Sequence, residues 1–272
     1  KRLKNYPDPM LVMNKYGADS LRYYLATSQV MLAESLNFRE RDVDEVYKKY
    51  MLTIWNVLSF YKMFATPLDN APRLAPNEMP SHVLDRWIMA KLQILIREVT
   101  SGYQSYHLPN ATRPLLQFVQ ELSTWYVRRS RARFKNDDVE DRTQAARTLR
   151  TVLFWFAHVA APVTPLIAET LYQEVRDSRD VLSVHLSEWP ALSELNIDNA
   201  LLSEMETVRG VIEQALALRA AAGIKVRQPL TSLTIPEKLS DALQSIVRDE
   251  LNVKKIVFGE ELALDTALTP AL

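Results

Sequence analysis

A chain of 272 residues with 47% hydrophobic side chains has enough apolar surface for two modest folded domains and too much for a disordered one. Its 33 basic and 33 acidic residues cancel, so any surface for a polyanion has to come from clustering. The lack of cysteine excludes disulfides, thiol catalysis and zinc ribbons, and five glycines are too few for the phosphate turns of a doubly wound nucleotide-binding sheet.

Taken in order, Asp8-Pro9 reads as a cap followed by a favoured first helical residue. A short helix with Met10, Val12 and Met13 follows, broken at Tyr16-Gly17, and Asp19 is placed to cap a second helix to about Ser28. From about Asp42 to Ala65 the spacing of Val43, Val46, Tyr47, Tyr50, Met51, Ile54, Val57, Leu58, Tyr61 and Phe64 predicts one long amphipathic helix. Pro67, Pro72, Pro76 and Pro80 then mark a crossing segment. Further helices are predicted over about Ser81–Tyr106, from near Asn110 past Pro114 to Phe134, through Leu149–Val159 after an acidic loop at Asn136–Asp141, and over Leu166–Val175. Antiparallel helices joined this way make a bundle. Trp55, Trp87, Trp125 and Trp155 each sit among aliphatic neighbours and are expected in its core.

His158 reads as a satisfied helix histidine and His107 as a helix-end cap. With His82 and His185 they are too scattered for a metal cluster, and no metal site is expected. Ser183–Leu186 is expected to be extended, and Trp189-Pro190 marks a boundary. A helix over about Asp198–Ala222 is closed by Gly223. Ile224–Leu230 alternates apolar and basic residues, so that, if extended, Lys225 and Arg227 share one face. Leu233–Ile235, a helix near Leu239–Leu251 and Val253–Phe258 predict a strand-helix-strand unit, with parallel and antiparallel pairing both open. The fold class is therefore mainly α: an antiparallel helical bundle followed by a small α/β C-terminal unit.

Trp125–Lys135, W-Y-V-R-R-S-R-A-R-F-K, is the stretch with the most chemistry. At roughly 100° per residue, Arg128, Arg131 and Lys135 fall on one arc, while Arg129 and Arg133 turn towards Phe118, Leu122 and Tyr126. An exposed cationic row suits RNA phosphates, but composition alone favours an ordinary solvated face. No G-x-S-x-G elbow, zincin helix or carboxylate–histidine cluster occurs, so no complete active site is expected. No apolar run is long enough to span a bilayer, and Lys1-Arg2-Leu3-Lys4 lacks the apolar segment of a signal peptide, so a soluble cytoplasmic protein is expected.

Five stretches resemble the isoleucyl-tRNA synthetase family of class I aminoacyl-tRNA synthetases. K-R-L-K-N-Y-P-D-P at the start and K-Y-G-A-D-S-L-R at Lys15–Arg22 are similar to the region following its catalytic domain. W-Y-V-R-R-S-R-A-R-F is similar to a helix of its anticodon-binding domain, and A-G-I-K-V-R-Q-P-L at Ala222–Leu230 and L-D-T-A-L-T-P at Leu264–Pro270 to its C-terminal region. The resemblance implies a connector over residues 1–40, an anticodon-binding bundle over 41–190 and an appendage over 191–272, with tRNA, tRNA(Ile) in the intact enzyme, as partner.

It also implies that Lys1 is the last lysine of the ATP-handling K-M-S-K-R loop. The nucleotide-binding fold with its H-I-G-H motif, the amino-acid pocket and the editing domain are then expected upstream, and the chain by itself is expected to lack ligase activity. ATP and magnesium would be substrates of the intact enzyme; no cofactor is expected for this part. In the light of the resemblance, Arg128, Arg131 and Lys135 are expected to position tRNA phosphates, while Arg129 and Arg133 form structural ion pairs. Lys225 and Arg227 are a second tRNA-binding pair, with a solvated face as an equal alternative. The same part of a valyl, leucyl or methionyl synthetase, or a helical scaffold that binds protein, are the other readings.

Overall fold

The Asp8 carboxylate accepts the Met10 N–H at 2.8 Å, a short-range cap after which Pro9 opens helix α1, Pro9–Tyr16. The computed structural model describes residues 7–65, 72–75, 78–190 and 197–266. The chain divides into two units, residues 1–197 and 198–272, each described by itself. Lys1 and the end of the Leu264–Pro270 motif lie outside the described residues.

In the first unit Gly17, with φ +86°, breaks the chain between α1 and α2, Ala18–Thr27. Val12, Tyr16, Tyr24 and Val43 close a small apolar cluster there. Asp19 does not cap α2 as expected. It is buried in that helix's first turn, and its carboxylate accepts the Ile167 N–H at 2.8 Å. It thus caps α9, Pro165–Val175, whose own N-cap residue Thr164 makes no side-chain cap bond. Burial pushes the Asp19 carboxyl up, and the backbone N–H groups of Ile167 and Leu166 pull it back.

The predicted long helix is α3, Glu40–Val46, a π-helical turn at Tyr47–Met51 and α4, Leu52–Phe64, in unbroken succession. Val43, Tyr50, Ile54, Val57, Leu58 and Tyr61 are its buried stripe. Next come α5, Val83–Gln104, and α6, Leu108–Glu121, which continues through a π-helical stretch at Leu122–Val127 into α7, Arg128–Ser130, and a final 3-10 turn at Arg133–Lys135. Helices α8, Val139–Ala160, and α9 complete the bundle. Trp87 is 2% exposed, as the core expectation requires, and Trp125 and Trp155 are half-buried. Trp55 departs from it at 49% exposed, because it lies off the arc of Ile54, Val57, Leu58 and Tyr61.

Two details of the α5–α6 hairpin set its geometry. A Cβ on Gly102 would sit 2.4 Å from the Ala111 backbone nitrogen, so only glycine lets the helices approach this closely. The turn closes α5 with the Tyr106 N–H on the Tyr103 carbonyl at 3.0 Å and the His107 N–H on the Gly102 carbonyl at 2.9 Å. That pattern forces Tyr106 to φ +56°, a conformation costing a non-glycine residue about 1–2 kcal/mol.

Ser183–Leu186 is not extended. Val184–Leu186 is a 3-10 turn, because Glu169 of α9 accepts from both the Ser183 hydroxyl (2.8 Å) and the Val184 N–H (3.0 Å). One carboxylate thus gathers groups that a strand would have spread apart.

The second unit opens with α10, Asn199–Ala221, capped by Asp198 and followed by Gly223 at φ +69°. Strand β1, Leu230–Ile235, helix α11, Asp241–Leu251, and strand β2, Val253–Phe258, follow. The pairing left open by the sequence is parallel, with Leu230 opposite Val253 and Ile235 opposite Phe258. A short strand β3, Ala263–Leu264, pairs antiparallel on the other side of β1, giving the order β2-β1-β3. Ile224–Pro229 is not a strand either. Arg219 of α10, 1% exposed, donates to the Leu251 carbonyl at 2.9 Å, the Lys225 carbonyl at 2.7 Å and the Gln228 carbonyl. One guanidinium therefore folds this segment back as a turn.

Candidate nucleic-acid interface

The π-helical stretch Leu122–Val127 leads directly into the basic segment, and the burial of its side chains alternates with the helix face. Arg128, Arg131 and Lys135 are exposed; Arg129 is half-buried and Arg133 is 8% exposed. The two arginine stripes therefore point as their spacing predicts.

Arg133 is held by two carboxylates. Its guanidinium spans both oxygens of Asp85 on α5, at 2.8 and 2.9 Å, and its Nε donates to Asp141 on α8 at 2.8 Å. Asp85 is fully buried and also accepts the Tyr126 hydroxyl at 2.7 Å. Burial opposes the Arg133 charge, but the bonds to Asp85 and Asp141 outweigh it and hold its pKa above the usual arginine range. Burial, then the adjacent Asp85 charge, pushes the Tyr126 hydroxyl well up. Arg129 lies over the Trp125 ring, 4.6 Å from its centroid.

Two of the three outward cations rest on aromatic rings supplied by α4. Arg131 lies 6.0 Å over the Phe60 ring and Lys135 5.4 Å over the Phe64 ring. Phe60 packs on Phe64 at 4.8 Å and edge-on to buried Phe134 at 4.9 Å. Because Phe60 meets Arg131 and Phe64 meets Lys135, α4 and the basic segment run side by side in the same direction for one turn. Arg128 is tied to its own helix, its Nε donating to the Thr124 carbonyl at 2.9 Å. Among the described residues, neither Arg131 nor Lys135 forms an ion pair with an acid.

Other arginines of the bundle are differently occupied. Arg147 forks onto Glu78 at 2.6 and 2.7 Å, and Arg73 forks onto Asp180 at 2.7 and 2.8 Å while lying 3.7 Å over Phe154. The aromatic floor was missed at the sequence level. Its one signal is the four-residue spacing of Phe60 and Phe64, with Phe60 off the buried arc.

Lys225 and Arg227 belong to the second unit and are exposed. They do not share a strand face. They sit on the turn held by Arg219, and the Asn252 side chain donates to the Val226 carbonyl at 3.3 Å and to the Arg227 carbonyl at 3.0 Å.

Three of the four histidines serve structure. His158 is buried, with Nδ1 2.8 Å from the Phe154 carbonyl; His107 caps α6 and His82 caps α5. Burial, reinforced by Arg73 near His158 and Arg133 near His82, lowers both pKa values below the ordinary 6.5. A histidine depressed in the fold takes up its proton more readily when unfolded. Stability is therefore expected to be fully present above about pH 6.5 and to fall as pH drops from there through the folded-state values. Denaturant midpoints at pH 7.5 and pH 5.5 measure this, and His82→Asn, which keeps a capping side chain, is expected to reduce the difference. Among the described residues no group of three or more histidines and acids is arranged to hold a metal, and no helix is long and apolar enough to cross a membrane.

Comparison with known proteins bears on the whole arrangement. The model of the family "Anticodon-binding domain of tRNA ligase" matches residues 85–235, and that of "tRNA synthetases class I (I, L, M and V)" matches residues 1–37. An isoleucine–tRNA ligase of Chlamydia caviae is 38% identical over 268 residues, covering 96% of this chain and 26% of that protein. One of Treponema pallidum is 36% identical over 280 residues, with the same two coverages. The chain thus spans about a quarter of the length of these relatives. A solved ternary complex of a leucyl-tRNA synthetase, tRNA and LeuAMS from Agrobacterium radiobacter is similar with 22% identity and a TM-score of 0.48, covering 74% of this chain and 22% of that one.

Proposed function

The chain belongs to the family of the anticodon-binding domain of tRNA ligases, and from that premise we propose that it is the tRNA-gripping part of an isoleucine–tRNA ligase, with tRNA(Ile) as its partner. The observation that carries the reading is the outward row Arg128, Arg131 and Lys135 within the matched segment, with Arg131 and Lys135 seated on the Phe60–Phe64 floor. A cation placed over a ring loses less side-chain freedom on binding than one waving in solvent, and it keeps its N–H donors for phosphate oxygens. Arg133, locked to α5 and α8, fixes the azimuth of the row. The bundle therefore presents a rigid charged edge to an RNA backbone.

In this reading the isoleucine specificity, the use of ATP and magnesium as substrates and the joining reaction belong to the remaining length of the relatives. The match of residues 1–37 to the class I synthetase family supports the connection. Lys225 and Arg227 are a second candidate pair for tRNA, now as exposed residues of a held turn. A cytoplasmic location follows from the proposed role in translation.

The test is fluorescence anisotropy of labelled tRNA(Ile) across a salt series. Arg131→Gln with Lys135→Gln is expected to weaken binding and to flatten the slope of log affinity against log salt by about one for each phosphate no longer neutralised. An unchanged affinity and slope would sink the assignment.

A further inference from the structure

Between Asn110 and Lys135 the chain contains one acid, Glu121, and it is buried and paired with Lys91 at 2.8 Å. The exposed positions of that helix, Arg113, Gln117, Gln120, Thr124 and Arg128, therefore form a polar strip without a negative charge. Arg113 and Arg128, fifteen residues apart and both exposed, stand at the two ends of this strip.

The far end of the strip is a groove of about 630 Å³ between α5 and α6, lined by Arg97, Ser101, Ser105, Asn110 and Arg113, with Glu98 as its acid. Arg113 is held in place there: its Nε and one terminal nitrogen donate to the Thr27 carbonyl at 3.2 and 3.0 Å. The guanidinium is thus fixed while its side chain stays exposed.

Beside the groove stands Tyr106. The turn demands a left-handed residue, for which glycine or asparagine is the comfortable choice. A tyrosine occupies it with 94% of its surface exposed, so the fold recovers little by burying its ring. Among the described residues nothing accounts for a bare aromatic ring at a strained backbone position, and such strain gathers at sites of contact.

We propose that the RNA-binding surface extends from the Arg128–Lys135 row along the outer face of α6 to the α5–α6 turn, where Arg97 and Arg113 take backbone phosphate and Tyr106 stacks on a base or packs on a ribose. The acid-free strip joins the two patches and matches a phosphate backbone in charge, which is why the occupant is RNA. The inference rests on the tRNA reading above and adds a second contact to it.

The experiment uses the full 272-residue chain and tRNA(Ile). Tyr106→Asn is expected to leave the melting temperature unchanged or to raise it by up to about 4 °C, since asparagine tolerates the left-handed conformation. The same variant is expected to bind tRNA about five-fold more weakly or worse, the lower end of what one base–aromatic stack contributes. Arg97→Gln is expected to lower the salt slope by about one. Full affinity and slope in both variants, while Arg131→Gln with Lys135→Gln still weakens binding, would overturn the second contact and leave the proposed function standing. If all of these substitutions are silent, both readings fall. A melting temperature lowered by Tyr106→Asn would show that the ring serves the fold, and would also overturn the proposal.

Discussion

Asp85→Ala is expected to destabilise the helical unit by about 3–5 kcal/mol, the cost of leaving a buried arginine without its partner. Asp85 is fully buried and holds three groups: both terminal nitrogens of Arg133 and the Tyr126 hydroxyl. Removing it strands a guanidinium that Asp141, itself partly exposed, cannot neutralise alone. Denaturant unfolding measures the loss as a shift in midpoint. Arg133→Met in the same background is expected to return part of it, because the unpaired charge leaves together with its need for a partner. A loss below about 1 kcal/mol in the single variant would mean that the pair is not closed off from water as its burial indicates. The same network orients Arg128, Arg131 and Lys135, so tRNA affinity is expected to fall in Asp85→Ala even where the protein remains folded.

Arg219→Met is expected to cost the second unit roughly 3 kcal/mol, from one buried and two partly buried carbonyls that lose their donor, at about 1–3 kcal/mol for a buried one. The acceptors belong to two separate stretches of chain: Leu251 at the end of α11, and Lys225 and Gln228 in the turn before β1. Arg219→Lys is expected to rescue little, because a single ammonium cannot reproduce a planar fork aimed at several carbonyls. Amide hydrogen exchange over Lys225–Leu230 reads the effect directly. Unchanged protection there in Arg219→Met would show that the turn holds without the guanidinium.

The two arginines illustrate how far the sequence could be read. The orientation of the basic segment was legible because exposure there follows helical periodicity: Arg128, Arg131 and Lys135 one way, Arg129 and Arg133 the other. The helices were legible for the same reason, with ends marked by Asp8 in the first unit and Gly223 in the second. Asp19, Glu169 and Arg219 were misread or passed over, and each of them acts on backbone brought from elsewhere in the chain. An alternating pattern at Ile224–Leu230 suggested a strand, but Arg219 draws its carbonyls inward and overrides that local preference.

By itself, then, the sequence determined the helical bundle, the strand-helix-strand tail and the direction in which each cation of Trp125–Lys135 points. These depend on spacing along one element, which a single chain displays in full. Only the tertiary structure decided that Phe60 and Phe64 lie under Arg131 and Lys135, that Asp85 clamps Arg133, that β1 and β2 run parallel, and that Tyr106 stands strained and bare beside an arginine-lined groove. Those features depend on which elements meet. A side chain's partner across the core follows from the packing of whole helices and from the cost of leaving any buried polar group unpaired, and neither is set within a window of one helix.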